Sequence, residues 1–232
     1  MSFSFSVFAD EQIPAPTAAP SALQELASPW TTSAQPWLLG GSALTLFLIA
    51  TDDSIDKPFQ RYSNENKPLG QFSRVGYWAG LSIPNAAYIL GMFAAQNKSK
   101  ALVMTKATLY AQATTLALKL TVREPRPDNS DYASFPSGHT SSAFAFAAVI
   151  GEMESKYWAV PAYGLAAVVG YSRINDNKHF LHDVVAGATI GMAYGIGISQ
   201  LNGRDNALNE NKMDVALVPL RSGGFVYSNL KF

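Results

Sequence analysis

The stretch SRINDNKHFLHD, residues 172–183, holds two of the three histidines in the chain, with an arginine near one end and an aspartate at the other. Taken alone it has three readings: a metal site, a nucleophilic histidine with its orienting carboxylate, or a polar turn between two helices. Its flanks narrow the choice. YWAVPAYGLAAVVGY (157–171) runs up to it without a charge, and LHDVVAGATIGMAYGIGISQ (181–200) runs away from it with one carboxylate at its start. Both segments are long enough for helices, and the second carries Gly and Ala at spacings that let helices approach closely. The stretch therefore joins two helices.

Working outward, further uncharged apolar segments alternate with polar punctuation. PWLLGGSALTLFLIAT (36–51) predicts a first helix, followed by the acidic loop DDSIDKP. VGYWAGLSIPNAAYILGMFAAQ (75–96) predicts a second, kinked at Pro84. The third covers 98–122 and stops at REPRP, where two prolines forbid continuation. Residues 138–152, 157–171 and 181–200 supply the fourth, fifth and sixth. The expected fold class is all-α, a six-helix antiparallel bundle. At the C-terminus, MDVALVPL (213–220) and GFVYSNLKF (224–232) alternate apolar and polar residues around Arg-Ser-Gly-Gly, the pattern of a small terminal β-hairpin. The expected organisation is a flexible leader or signal-peptide remnant over 1–35, a helical domain over 36–203, and a tail with the hairpin over 204–232.

Composition removes several function classes. The 17 basic and 17 acidic residues cancel, which argues against nucleic acid as a partner, since tracking phosphate backbones needs a basic face. The absence of cysteine excludes disulfides and thiolate chemistry. Charged residues make up 15% of the chain, against about 25% in soluble domains. That leaves a membrane-embedded chain or an Ala-rich helical globule. Runs 75–97 and 184–203 have the length of a membrane span, about 20 residues. The first segment is shorter, and the mean hydropathy of +0.05 is low for six spans. Integral membrane and soluble periplasmic locations both stay open.

Short connections make sequential helices antiparallel neighbours. KLTVREPRP (119–127), FPSGHT (135–140) and SRINDNKHFLHD then gather at one pole. Lys119, Arg123, Arg126 and Arg173 bring cations there, and a guanidinium forks onto phosphate oxygens. Ser137 and Gly138 open the fourth helix, whose free N–H groups and dipole favour an anion. His139 and His179 are a candidate proton donor and nucleophile. Asp183 is four residues from His179, so on a helix the two share a face and the carboxylate can orient the ring.

Lys119-x6-Arg126-Pro127, then Pro136-Ser137-Gly138-His139, then Ser172-Arg173-x5-His179-x3-Asp183 resembles the three-part signature of the type 2 phosphatidic acid phosphatase and vanadium haloperoxidase superfamily. The resemblance covers 119–183 directly, and the helical plan extends it over 36–200. It implies that Lys119, Arg126 and Arg173 bind phosphate oxygens, with Ser137 and the Gly138 amide completing the cradle. It further implies that His179 attacks phosphorus to give a phosphohistidine, that Asp183 positions His179, and that His139 protonates the leaving alkoxide. It implies a metal-independent phosphatase without cofactors, acting on a phosphomonoester or diphosphate of a lipid in the bacterial cell envelope, with the site at the periplasmic face. The alternatives are a soluble, nonspecific periplasmic acid phosphatase, a vanadate-dependent haloperoxidase, and a non-catalytic descendant.

Three features stay outside this scheme. Arg123 reads as a surface group. His182 beside Asp183 spells HxxHD, but no third ligand stands at zinc spacing, so a local hydrogen-bonding or substrate-edge role is expected. Asp52, Asp53 and Asp56 spell DDxxD, a diphosphate–magnesium motif of isoprenyl synthases, but in a single copy. It reads as a polar turn with helix-capping aspartates, at the same pole as the site.

Overall fold

The computed structural model describes residues 19–154, 156–210, 214–220 and 223–229. Nine α-helices form among them: α1 (Ala22–Thr31), α2 (Gln35–Ala50), α3 (Lys57–Asn66), α4 (Ser73–Gly80), α5 (Ile83–Ala94), α6 (Lys98–Val122), α7 (Gly138–Met153), α8 (Lys156–Asn175) and α9 (Leu181–Glu210). The body is all-helical, as expected, but the count of six is corrected. The expected helices are α2, the pair α4 and α5, then α6 to α9; the other two are α1 and α3.

Each difference has a local cause. The first expected helix is preceded by another, inside the stretch read as a flexible leader. Ser21 accepts from the Gln24 backbone N–H and Gln24 reaches back to the Ser21 N–H, a capping box that starts α1. Residues 1–18 lie outside the described residues. The acidic loop after α2 is a π-helical turn, Asp52–Asp56, that runs straight into α3. The run 75–96 is broken, where a kink was expected. Ser82 takes a left-handed conformation (φ 64°) and Pro84 stands in the first turn of α5 without an N–H to continue the ladder from α4.

The ends of α6 follow the sequence closely. The Asn97 side chain accepts from the Lys100 N–H, and Arg123 closes the helix in the left-handed conformation ahead of Pro125 and Pro127. α9 forms the axis of the body and packs against α7, α6, α2 and α1. The core is built of small side chains. Ala107 and Ala111 of α6, Ala145 and Val149 of α7, Ala166 and Val169 of α8, and Ile190 and Ile198 of α9 form its main cluster. Ala34, Ala148, Ala193 and Ile196 form a second one where α2 meets α7 and α9. Small residues shorten the distance between helix axes, and that replaces the bulk of Leu and Phe in filling the interior.

Many large apolar side chains consequently stand outside: Leu46 and Phe47 of α2, Leu90 of α5, and Leu109, Leu116 and Leu120 of α6 are each about half exposed or more. One helix among the described residues is long and apolar enough to cross a membrane, Leu181–Asn202, and 67% of its apolar window is buried inside the body. α1 with α2 passes the same test only as a pair bent by 69°. Beyond α9 the backbone of Asp214–Leu220 runs antiparallel to Gly223–Asn229, with Leu217 opposite Val226. These two segments are no part of the helical body, and the fold class is all-helical without them.

Candidate active site

The end of α6, the connection from α6 to α7, the start of α7, the end of α8 and the start of α9 meet at one pole, as segment order predicts. A chain of contacts joins them. Lys119, in the last turn of α6, donates its ammonium to the carbonyls of Ala133 (2.5 Å) and Ser134 (3.1 Å). The Ser134 hydroxyl donates to Asp183 Oδ2 at 2.6 Å, and the Phe180 N–H donates to the same oxygen at 2.8 Å. The Ser137 N–H donates to the Asp183 carbonyl, which fastens the start of α7 to the start of α9.

His179 sits in the middle of this assembly, 2% exposed. Its Nδ1 faces Asp183 Oδ2 at 3.5 Å, a separation just beyond a good hydrogen bond, and its Nε2 lies 3.2 Å from Arg126 Nη1. Asp183 therefore orients the ring from behind while Nε2 looks towards the cations. Burial, opposed by the Asp183 carboxylate, lowers the His179 pKa to about 4, so the ring is neutral at physiological pH with a lone pair to offer.

Arg126 is held by Asp131, which accepts from Nε at 2.7 Å, and by the Lys178 carbonyl, which accepts from Nη1 at 3.2 Å. Arg173, in the last turn of α8, is 4% exposed. Its Nε and Nη1 are buried without a hydrogen-bond partner, and Asp176 comes no closer than 3.7 Å. A buried guanidinium with idle donors is expensive unless an anion completes it. Nδ1 of His179 and Nε2 of His139 are also buried and unpartnered. Three of these nitrogens, Arg173 Nε and Nη1 and His139 Nε2, suit an anion-binding cradle, while His179 Nδ1 is turned to Asp183.

His139 occupies the first turn of α7. Its ring packs on Tyr77 of α4 (centroids 5.4 Å apart), and the Arg173 guanidinium lies over the Tyr77 ring, 5.6 Å from its centre. Gly80 is required here, since a Cβ on it would lie 2.6 Å from the His139 ring. Burial and then the nearby charges of Arg173, His179, Arg126 and Lys119 lower the His139 pKa to about 4. Burial and then Arg126 lower Lys119 to about 8. An oxyanion would oppose the smaller, charge-derived part of both shifts by cancelling the crowded positive charge.

The remaining expected residues are placed as follows. Ser137 is the residue before α7, buried, its hydroxyl accepting from Thr140 Oγ1 at 2.9 Å. Gly138 opens the helix, and a Cβ there would make ordinary contacts with Gln112, Thr115 and Lys119 at 3.6–3.9 Å. Lys119, Arg126, Ser137, Gly138, His139, Arg173, His179 and Asp183 are thus brought to one place. Arg123 is exposed at the left-handed end of α6. Sequence reasoning did not assign Ser134, Tyr77 or Glu124 to this pole's site, and it read Asp56 as a helix-capping aspartate there; Asp56 holds the start of α9 through Leu181 and His182. Ser134 stands within the quoted FPSGHT neighbourhood and was within reach. Tyr77 comes from a distant segment with no spacing signal.

Residues 100–207 match the model of the PAP2 superfamily. A 73-residue stretch is 40% identical to the Lipid A 1-phosphatase of Porphyromonas gingivalis, covering 30% of this chain and 16% of that protein, so the match spans about a sixth of the relative's length. The crystal structure of Aquifex aeolicus LpxE superposes with a TM-score of 0.57 at 26% identity, over 63% of this chain and 96% of that one. A transmembrane PAP2 type phosphatidylglycerolphosphate phosphatase from Bacillus subtilis superposes with a TM-score of 0.51 at 20% identity, over 75% of this chain and 98% of that one, a likeness of fold alone. Motif, helical plan and family match agree over the same segments, and residues 100–207 are similar to the PAP2 superfamily domain.

Proposed function

We propose that the chain is a phosphatase that hydrolyses the phosphomonoester or diphosphate of a lipid in the bacterial envelope through a phosphohistidine on His179, without a metal ion. The observation that carries this reading is the cradle of unpartnered buried nitrogens: Arg173 Nε and Nη1 and His139 Nε2 converge around a neutral His179 whose ring is backed by Asp183. Lys119, Arg126 and Arg173 hold the phosphate oxygens, assisted by Ser137 and the free N–H groups at the start of α7.

In the first step His179 Nε2 forms a bond to phosphorus as the bond to the leaving oxygen breaks. His139 Nε2 gives its proton to that oxygen. The proton need not be on His139 beforehand. A neutral ring with a bound phosphate monoanion has the same proton count as an imidazolium with the dianion, and binding the anion raises the ring's basicity. In the second step His139 takes a proton from water, the oxygen attacks phosphorus, and the P–N bond breaks to release phosphate and free His179. Charge spread over the phosphoryl oxygens is met by guanidinium groups fixed before the substrate arrives, which is the main source of acceleration in such sites.

A lipid substrate is supported by the names of the relatives and by the exposed apolar faces of α2, α5 and α6, which suit an acyl-rich surface. The site facing the periplasm is part of the same proposal. The test is hydrolysis of a panel of lipid phosphates by the purified chain. Activity should survive EDTA, be inhibited by vanadate, and fall by about 10³-fold or more in His179→Ala. A requirement for divalent metal, or activity retained in that variant, overturns the mechanism.

A further inference from the structure

The third histidine stands outside the proposed phosphoryl transfer, yet it is the most firmly held of the three. His182 is 4% exposed. Its ring lies between Phe135 (centroids 6.0 Å, 30° between planes) and Phe180 (5.5 Å, 10°). Nδ1 forms a short hydrogen bond with Asp56 Oδ2, and Nε2 lies 3.1 Å from both oxygens of Glu124 and 3.5 Å from Asp183 Oδ1. Asp56 is fully buried in the π-helical turn after α2, and it also accepts the N–H groups of Leu181 (2.8 Å) and His182 (3.0 Å). It thus caps α9 from a segment 126 residues away.

A neutral imidazole has one N–H and one lone pair. With a carboxylate on each side it would satisfy one and repel the other. Only the imidazolium donates to both. Glu124, His182 and Asp183 do bring three possible ligand atoms within 4.8 Å of one another. A cation there would need the Nε2 lone pair, whereas an imidazolium meets Asp56 through Nδ1 and both Glu124 oxygens through Nε2 with nothing added. Asp183 Oδ1 is buried without a hydrogen-bond partner, and the nearest positive group to it is the His182 ring. On its other sides Asp183 meets His179 from the α8–α9 connection, Lys119 from α6 contributes charge, and Glu124 contributes repulsion.

We infer that His182 is a positioning residue that carries a fixed positive charge: Asp56 anchors its ring and the first turn of α9, and its cation keeps Asp183 ionised beside Glu124, so that His179 stays aimed into the cradle. The electrostatics of the cluster agree with this geometry. Burial opposes charge on His182, but the bonds to Asp56 and Glu124 outweigh it and lift its pKa to about 10. Burial, followed by repulsion from Asp183, raises Glu124 although His182 pulls it down. The consequences for catalysis rest on the phosphatase reading; the charge on the ring does not.

The first measurement is therefore independent of activity. In ring-labelled histidine NMR on the full chain, one of the three rings should remain an imidazolium up to about pH 9, because two carboxylates stabilise the charge. That signal should be missing in His182→Gln, and Asp56→Asn, which keeps an oxygen to cap α9, should lower the pKa of that ring by at least about one unit. If all three rings lose their charge below pH 7, or Asp56→Asn leaves that ring unmoved, the inference is overturned. The second measurement is the pH profile of lipid-phosphate hydrolysis. His182→Gln should lower kcat about ten-fold or more with little change in KM, as when an orienting group is lost. Its acid limb should move up by about one pH unit, since Asp183 and Glu124 then share a proton. Adding Glu124→Gln to His182→Gln removes the repulsion and should return the limb towards its original position. A limb that neither change moves means that His182 only supports the fold, and overturns the inference. If the ring stays charged but the unaltered chain hydrolyses no phosphate ester, the phosphatase reading fails and the charged brace stands.

Discussion

At the scale of single residues, the site is a contest between burial and charge. Three cations, Lys119, Arg126 and Arg173, crowd a partly buried space, and the groups among them that can give up a proton do so more readily than usual. Lys119 is the sensitive one, with its pKa lowered to about 8 by burial and by Arg126. It is charged below that pH and neutral above it, so its grip on an anion is present at neutral pH and weakens as pH rises through about 8. Inhibition by inorganic phosphate should therefore decline from pH 7 to 9.5 with a break near 8, and the break should vanish in Lys119→Met. A flat profile in the unaltered chain would remove Lys119 from the cradle. The signature residues were legible in the sequence because each is tied to a neighbour a few positions away: His179 to Asp183, Ser137 to Gly138 and His139. Asp56 and Glu124 were not, because their partner is His182, 126 and 58 residues further on. Asp56 was expected to cap a helix, and it does, but the helix is α9 and not the one that follows it.

At the scale of elements, the approach of α9 to α7 decides how tightly the two histidine-bearing ends are held. A Cβ on Gly191 would lie 2.3 Å from the Ser141 carbonyl, and one on Gly187 would lie 2.4 Å from the Ser137 carbonyl. Backbone cannot yield as a side chain can. Gly191→Leu should cost about 3 kcal/mol or more and lower the melting temperature accordingly. Gly40→Ala, in α2, meets nothing within 4 Å and should be neutral or stabilising by about 0.5–1 kcal/mol, since alanine is the better helix former. Equal melting temperatures for the two variants would contradict this packing. The close spacing of Gly and Ala in α9 was readable from the sequence, and so were both ends of α6. The division of 75–96 into α4 and α5 was read only as a kink at Pro84. The left-handed Ser82 makes it a full break, and the packing of Gly80 against His139 places that break at the site.

At the scale of the whole molecule, an Ala-rich interior leaves the larger apolar side chains on the outside. Leu23, Leu46, Leu90, Leu109 and Leu120 are between 62% and 77% exposed. A water-soluble body rarely tolerates so many without a partner surface. The chain is expected in the membrane fraction, released by detergent and not by high salt or alkaline wash. Recovery in the soluble fraction would favour the periplasmic acid phosphatase reading instead. α1 is a second whole-molecule feature. Its Glu25 is buried against the ammonium of Lys106, with Tyr110 Oη 3.2 Å away, so α1 packs onto the body.

By itself the sequence determined the helical class, the family signature and the pole at which that signature gathers. Those depend on local periodicity, on prolines that stop helices, and on short connections that force neighbours to run antiparallel. The tertiary structure alone decided the number of helices among the described residues, the break at Ser82, the packing of α1, and the carboxylates that surround His182. In each case the controlling interaction joins segments far apart in the chain: Asp56 with the start of α9, Gly80 with His139, Glu25 with Lys106. Spacing in a sequence carries no trace of such pairs, because a buried charge finds its partner by proximity in the folded chain and not by position along it.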